Sequence, residues 1–332
     1  MSKMLKSLVI AAAGSAVLAA PAIAADKVRL VNSTKVVFET EHPYTALEEG
    51  IFKKHNLDVS VIHGSGGAAS LQAVLTGSQD IVWGNGVLGV LSAYAKGAPV
   101  RILGSNIRGV PDLYWYVKTD SPIKSFKDLK AGQEFAYSRP GSTTNLAAIY
   151  IKEALKLPAK LTSVGGPSGS RTQLMSGQVA TGWSVFPLNK NLLREGKIRI
   201  IGTGKEAAGL NGVTIRVIAA NVNWLNKNRD VAKRMMTAFK EARAMTYTSE
   251  KRLKSYAKRW KLNFADVKSA PQDTPAEVTT ILPVAGLDKI NQIALESKKI
   301  KKLLTAAQLK ELVHPMGDRK STRLNSSHRC IS

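Results

Sequence analysis

Three short loops, rich in glycine and hydroxyl side chains, each precede a segment with a helical pattern. They are Ser65-Gly66-Gly67, Asn85-Gly86 and Gly141-Ser142-Thr143-Thr144. The first N–H groups of a helix have no partner inside it and carry partial positive charge, so such loops suit sulfonate, carboxylate or nitrate. Glycine lets the backbone approach a ligand closely, and hydroxyls add donors. Ordinary helix capping by a serine or threonine explains any single residue equally well.

Side chains elsewhere could complete a site for such a ligand. Trp183, Phe186 and Trp83 could form apolar walls for an organic tail, or simply belong to the core. Arg139 and Lys35 could supply a counter-charge, or lie solvated on the surface. Thr34 follows the first predicted strand and is expected to face the same cleft.

Several other motifs lack the context that their chemistry requires. Gly84-Asn85-Gly86-Val87-Leu88-Gly89 matches the dinucleotide fingerprint, but it follows the third strand, and no acid after the next strand could hold a ribose. Gly202 to Glu206 lacks the first glycine and the final hydroxyl of a phosphate-binding loop. No paired histidines and no G-x-S-x-G elbow occur. We therefore expect no catalytic residues, no metal and no cofactor.

The amino terminus has the features of an export signal. Lys3 and Lys6 precede an apolar run from Leu8 to Ala20, and Ala22-Ile23-Ala24 fits a cleavage site. The run is short for a membrane span, which needs about 20 residues. We expect cleavage after about Ala24 and a free periplasmic product that is not membrane-inserted.

Residues 318–332 resemble the translation of a sequencing adaptor, with Asp318 to His328 carrying the likeness. We interpret them as a non-native tail, the alternative being a disordered basic tail; the tail contains the only cysteine, Cys330. The net charge of the whole chain is +24, and it stays strongly basic without the leader and the tail. Because no nucleic-acid motif accompanies this charge, it favours steering of a small anion.

The remainder predicts an α/β fold with two lobes. Strands at Val28–Val31, Leu57–Ile62, Asp80–Trp83 and Val100–Leu103 alternate with helices, which implies a parallel sheet covered on both faces. A second α/β unit follows, and then one more strand, Val213–Ala219, and a helical remainder. We predict lobe I from residues 25–112 and 213–317, lobe II from residues 113–212, and hinge crossings near residues 108–116 and 206–216.

Five segments, in order, resemble periplasmic binding proteins for sulfonates, nitrate, taurine and thiamine-pyrimidine precursors. They are Glu48–Val59 (EEGIFKKHNLDV), Gly64–Gly77 (GSGGAASLQAVLTG), Ser121–Lys130 (SPIKSFKDLK), Ser138–Asn145 (SRPGSTTN) and Gly177–Trp183 (GQVATGW). The resemblance spans nearly the whole predicted mature chain. It implies a type II periplasmic-binding-protein fold, with two α/β lobes joined by two hinge crossings that close over one ligand.

The resemblance also implies a function: a monomer that delivers its ligand to an ABC transporter permease and its ATPase. Ala180 stands where the family usually has Asp, and Phe186-Pro187 replaces an acid-proline pair, so the chain leans towards an anionic or neutral ligand. A pyrimidine-precursor synthase of this fold is the alternative, but such enzymes need a cysteine cluster that this chain lacks. A ligand-sensing module is the third possibility.

Overall fold

A computed structural model describes residues 24–279, 281 and 283–314 of the chain. The predicted export signal of residues 1–24, apart from Ala24, and the predicted adaptor-like tail lie outside the described residues. Among the residues described, no helix combines the length and the apolar character that crossing a bilayer requires.

Lobe I is built on a five-stranded sheet with the order β2-β1-β3-β10-β4. Its strands are Asp26–Asn32 (β1), Leu57–His63 (β2), Ile81–Gly86 (β3), Val100–Arg108 (β4) and Thr214–Asn221 (β10). β1 runs parallel to β2 and β3, whereas β10 is antiparallel to both β3 and β4. The four strands from which a parallel sheet was predicted do run in the same direction, whereas β10, for which no direction was predicted, runs opposite to its two neighbours. The chain returns from lobe II at that point and inserts β10 between two strands that run the opposite way.

Lobe II contains two smaller sheets. Its strands are Leu113–Lys118 (β5), Glu134–Tyr137 (β6), Lys160–Ser163 (β7), Gly182–Val185 (β8) and Ile198–Thr203 (β9). β5 lies between β8 and β9 and is antiparallel to both, and β6 pairs in parallel with β7. The exact lobe boundaries at residues 112, 212 and 317 stay a prediction.

Helices cover both faces of the lobe I sheet, and three of the first four have a glycine at the N-cap. Those before the first crossing are Glu41–Glu48 (α1), Ile51–Lys54 (α2), Gly67–Leu75 (α3) and Val87–Ala95 (α4). The predicted single helix from Pro43 to Lys54 is instead α1 and α2. Gly50 separates them at φ +69°, a left-handed conformation that ends the first helix at little steric cost.

The remaining helices belong to lobe II and to the returning segment. They are Thr143–Ala154 (α5), Pro167–Met175 (α6), Lys190–Arg194 (α7), Val222–Lys227 (α8), Arg229–Thr248 (α9), Glu250–Trp260 (α10), Phe264–Val267 (α11), Ala270–Asp273 (α12), Leu287–Glu296 (α13) and Ala306–Leu312 (α14). Single 3₁₀ turns lie at Phe38–Thr40, Phe126–Asp128, Gly204–Glu206, Ala208–Leu210 and Ala276–Val278. In the described part of the predicted helical remainder from Val222 to Leu312, there are thus seven helices and one 3₁₀ turn.

One core fills each face of the lobe I sheet. Trp83, Leu103, Ile218 and Phe239 pack on the face covered by α9. The opposite face, with Val82 and Val217, joins a core that continues into lobe II. The two lobes therefore share one continuous cluster of buried residues at the crossings.

Candidate functional site

The loop before α3 meets lobe II through a glycine and an arginine. Gly66 has φ +117° and precedes the first turn of α3 without any side-chain cap. A Cβ built on Gly66 would lie 2.5 Å from Nη2 of Arg139, so the guanidinium group covers this glycine. Ser65 is exposed at the rim of the same loop. Two of the predicted loops therefore face each other across the cleft.

A second contact joins the start of α4 to the start of α5. A Cβ on Gly86 would lie 3.6 Å from Oγ1 of Thr143, and one on Gly67 would lie 3.3 Å from Oδ1 of Asn85. Asn85 is buried within β3, rather than in a loop after that strand as predicted, because β3 continues to Gly86. Its Oδ1 accepts a hydrogen bond of 3.2 Å from the Ser33 hydroxyl. All three predicted loops consequently adjoin one another.

The loop before α5 uses most of its own hydroxyls internally. Ser142 caps α5, its Oγ accepting from the N–H of Asn145 at 3.1 Å, and Ser138 Oγ donates to Ser142 Oγ at 2.8 Å. Thr144 is buried, and its Oγ1 accepts from the Ser138 N–H at 2.9 Å. The Gly141 N–H donates to the Asn145 side chain. For Ser142 and Thr144 the capping interpretation therefore describes the hydroxyls, while Thr143 faces the other lobe.

The uncapped amino-terminal ends of helices provide this cleft with N–H donors. Neither α3 nor α4 begins with a side chain that accepts from its first N–H groups. Such groups remain available to an anion, and the helix dipole favours negative charge there. An anionic oxygen placed between α3, α4 and α5 would thus meet donors from both lobes.

The proposed aromatic walls divide into two core residues and one partly exposed side chain. Trp83 is fully buried, and its Nε1 donates to the Glu39 carbonyl at 2.8 Å. Trp183 is buried in lobe II, and its Nε1 donates to the Gly165 carbonyl at 3.0 Å. Phe186 is half-buried and stacks on Tyr114, with ring centroids 4.4 Å apart. Of the three aromatic side chains, Phe186 retains the most surface for a ligand.

The loop after β1 is held in place by hydrogen bonds from two side chains outside it. The Thr34 carbonyl accepts from Nδ1 of His63 at 3.3 Å, and the Val36 carbonyl accepts from the Tyr256 hydroxyl. Thr34 is half-buried and Lys35 is exposed. This loop lies at the carboxyl end of β1, the edge of the sheet to which the other cleft loops also belong.

A buried ion cluster below the cleft was not predicted. Nη1 of Arg216, in β10, donates to Oε1 of Glu39 at 2.8 Å and to Oδ2 of Asp112 at 2.7 Å. All three residues are buried. Burial, helped by the charge of Asp112, raises the pKa of Glu39 to about 7 despite the Arg216 charge. The available sequence signal was Arg216 itself, a charge inside an otherwise apolar strand.

Several polar atoms at this level lack hydrogen bonds within the described part of the chain. They are Glu39 Oε2, Asp112 Oδ1, Asn32 Oδ1 and both amide atoms of Asn106. Leaving one such group unpaired costs about 1–3 kcal/mol. Asn32 and Asn106 lie towards the carboxyl ends of β1 and β4, at the cleft edge of the sheet. Together these atoms form a polar floor, which we define as Asn32, Glu39, Asn106, Asp112 and Arg216.

No metal site competes with this interpretation in the residues described. No group of three or more His, Cys, Asp or Glu side chains there could hold a metal ion. His42 is fully buried, and burial lowers its pKa to about 3, so it stays neutral against Trp83.

A family profile described as NMT1/THI5 like matches residues 39–251, almost two thirds of the chain. The chain belongs to the NMT1/THI5-like family. The matched region includes every loop described above except the one after β1. No curated protein is significantly similar to the chain in sequence.

Solved structures confirm the type II periplasmic-binding fold of this family member. The periplasmic aliphatic sulphonate-binding protein SsuA from Escherichia coli matches with a TM-score of 0.70 and 21% identity, over 85% of this chain and 91% of that chain. The alkanesulfonate-binding protein SsuA from Xanthomonas axonopodis pv. citri, bound to MOPS, gives 0.70 and 17% identity, over 86% and 99%. The periplasmic nitrate-binding protein NrtA from Synechocystis PCC 6803 gives 0.59 and 17%, over 74% and 69%.

Proposed function

We propose that the chain is the periplasmic solute-binding component of an ABC importer, and that it binds one small anion between its lobes. The observation that carries this proposal is the meeting of helix amino-terminal loops from both lobes, where Arg139 covers Gly66 and Thr143 faces Gly86. A cleft with uncapped helix ends and a basic rim suits a sulfonate, nitrate or carboxylate. The ligands named for similar proteins, sulfonates and nitrate, support the same chemistry.

The proposed contacts follow from this geometry. Uncapped N–H groups at α3 and α4 would bind the anionic end, and Phe186 would contact an organic tail. Trp183 would support this wall from the core. The residues assigned to the site are Thr34, Lys35, Ser65, Gly66, Gly67, Asn85, Arg139, Gly141, Ser142, Thr143, Thr144, Trp183 and Phe186.

Delivery is the second half of the proposal. The leader would direct export, cleavage after about Ala24 would release a periplasmic monomer, and a permease with its ATPase would receive the ligand. Expression in a Gram-negative host tests the first steps. The expected product is a soluble periplasmic chain that begins at or near Ala25, and retention of the leader in the cytoplasm would contradict this part.

A thermal-shift screen tests binding directly. The panel contains ethanesulfonate, taurine, nitrate, benzoate and a pyrimidine. A ligand at about 100 times its dissociation constant stabilises the native state by about 2.7 kcal/mol, which produces a measurable rise in melting temperature. We expect at least one anion to raise it, and mass spectrometry to recover every compound unchanged.

The other outcomes separate the alternatives. Stabilisation by the pyrimidine alone would favour a precursor-binding protein and contradict the anion proposal. Chemical conversion of any compound would favour an enzyme on the same fold. Binding without conversion, but with no transfer to a reconstituted permease, would favour a sensing module.

A further inference from the structure

Lys299 reaches across the cleft from the returning segment and contacts a glycine of lobe II. A Cβ built on Gly141 would lie 2.7 Å from Cε and 3.0 Å from Nζ of Lys299. Gly141 has φ +78°, so both its conformation and this contact favour glycine there. Sequence analysis did not identify Lys299, because it lies in a lysine-rich stretch that is typical of a solvated surface.

The backbone around Lys299 is fixed, so the contact is not made by a free tail. The Lys299 N–H donates to the Ala294 carbonyl at 2.8 Å, which closes the last turn of α13. Ile300 follows directly and is buried. α13 itself packs against α4, the helix that opens at Gly86. Lys299 is therefore carried by lobe I.

This contact mirrors the one made by Arg139. Arg139, from lobe II, covers Gly66 of lobe I, and Lys299, from lobe I, covers Gly141 of lobe II. Both glycines belong to loops that open cleft helices, α3 and α5. Each lobe thus places one cation over the helix-opening loop of the other.

The two cations differ from others that join the same parts of the chain. Lys190 of lobe II pairs with Asp273 of the returning segment, and Arg194 pairs with Asp266. For Arg139 and Lys299, by contrast, no side-chain hydrogen bond or ion pair is found with any residue the structure describes. Closure brings both positive charges to the cleft mouth without an acid to neutralise them.

We infer that Arg139 and Lys299 form an anion-dependent latch, in which the negative charge of the ligand neutralises the two cations as the lobes close. This inference rests on the proposed function and assigns Lys299 as an additional specificity-determining residue. Without an anion, two uncompensated charges disfavour closure; with one, both favour it. The latch therefore selects anions over neutral ligands of the same shape.

The test compares Lys299→Gln with Lys302→Gln, which removes the same charge three residues away from an exposed position. The probe is ethanesulfonate, with its dissociation constant from calorimetry and its association rate from tryptophan fluorescence at several NaCl concentrations. Small-angle scattering with and without ethanesulfonate reports closure. Lys299→Arg keeps the charge and serves as the conservative variant.

We expect Lys299→Gln to weaken ethanesulfonate binding by about fivefold or more, the lower end of typical coupling between sites. Its association rate should depend less on salt than that of the wild type. Lys302→Gln and Lys299→Arg should stay close to the wild type. Equal effects of Lys299→Gln and Lys302→Gln would overturn the latch alone, because general steering would then explain both. A wild type that binds neither ethanesulfonate nor any other anion of the panel would overturn the proposed function, and the latch with it.

Discussion

The loop at residues 138–145 and the polar floor beneath the cleft differ in how many of their polar side-chain atoms are hydrogen-bonded. In the loop, the oxygens of Ser138, Ser142 and Thr144 lie within 3.0 Å of one another and share their hydrogen bonds. In the floor, carboxylate and amide atoms remain without partners among the residues described. The loop is complete before a ligand binds, whereas the floor is not.

This difference distinguishes polar groups that stabilise the structure of the site from polar groups that still have hydrogen-bonding capacity. Hydroxyl-rich loops satisfy their own backbone first, because nearby N–H groups are always within reach of a serine or threonine oxygen. The buried polar groups of the floor have no such N–H groups within reach in the part of the chain that the structure describes and keep unused hydrogen-bonding capacity. The contacts to an anionic ligand are therefore expected from main-chain N–H groups more than from the Ser142 or Thr144 hydroxyls, and among the described atoms of the floor only Nδ2 of Asn106 is an unpaired donor.

The largest expected effect comes from breaking the floor. Arg216→Met leaves two buried carboxylates, those of Glu39 and Asp112, without a counter-charge. Breaking a buried ion pair in this way costs about 3–5 kcal/mol. Urea unfolding at pH 8 measures the loss. The control is Arg229→Met, an exposed position, which should change the unfolding free energy by less than about 0.5 kcal/mol. Equal stability of the two variants would mean that the cluster does not support the floor.

The second effect is a pH dependence carried by Glu39. Its pKa is about 7 in the folded chain, above the ordinary 4.5, because burial disfavours the charged form. The native state then holds its proton more tightly than the unfolded chain. The contribution of Glu39 to the stability of the folded chain is complete below about pH 4.5 and is lost as the pH rises to about 7.

Glu39→Gln should remove this contribution. Urea unfolding at pH 5 and pH 8 should show a smaller fall in stability for the variant than for the wild type, by roughly 2 kcal/mol. Comparing the two proteins cancels the contributions of Glu41, whose pKa burial also raises to about 7, and of His42. Asp58→Asn, at an exposed strand position, should keep the wild-type profile. Parallel profiles for the wild type and Glu39→Gln would contradict the assignment.

The third prediction compares two adjacent threonines, one expected to contribute to stability and the other to ligand binding. Thr144→Val removes a buried oxygen that accepts from the Ser138 N–H, which should cost about 1–3 kcal/mol of stability. Thr143 faces Gly86 in the other lobe, so Thr143→Val should leave the melting temperature unchanged. It should instead weaken ethanesulfonate binding by about tenfold, the loss of one hydrogen bond. The reverse pattern would show that Thr144, not Thr143, binds the ligand.

The sequence predicted what local pattern controls. The strands from Leu57 and Val100 begin at their predicted residues, and the two glycine loops of lobe I adjoin because β2 and β3 point the same way and end at one edge of the sheet. The direction of β10 was not predictable, since apolar composition carries no information on strand direction. Arg216 is 177 residues from Glu39 and 104 from Asp112, so only the fold brings them together.

The smallest expected effects distinguish Ser142 and Ser65, two serines that sequence analysis placed in similar loops before helices. Ser142 caps α5 through the Asn145 N–H, so Ser142→Ala should cost about 1 kcal/mol of stability. Ser65 is exposed, and α3 begins without a side-chain cap, so Ser65→Ala should stay within about 0.5 kcal/mol of the wild type. Thermal unfolding without ligand measures both. A loss at Ser65 equal to that at Ser142 would mean that the α3 end is capped after all, and its N–H groups would then be unavailable to an anion.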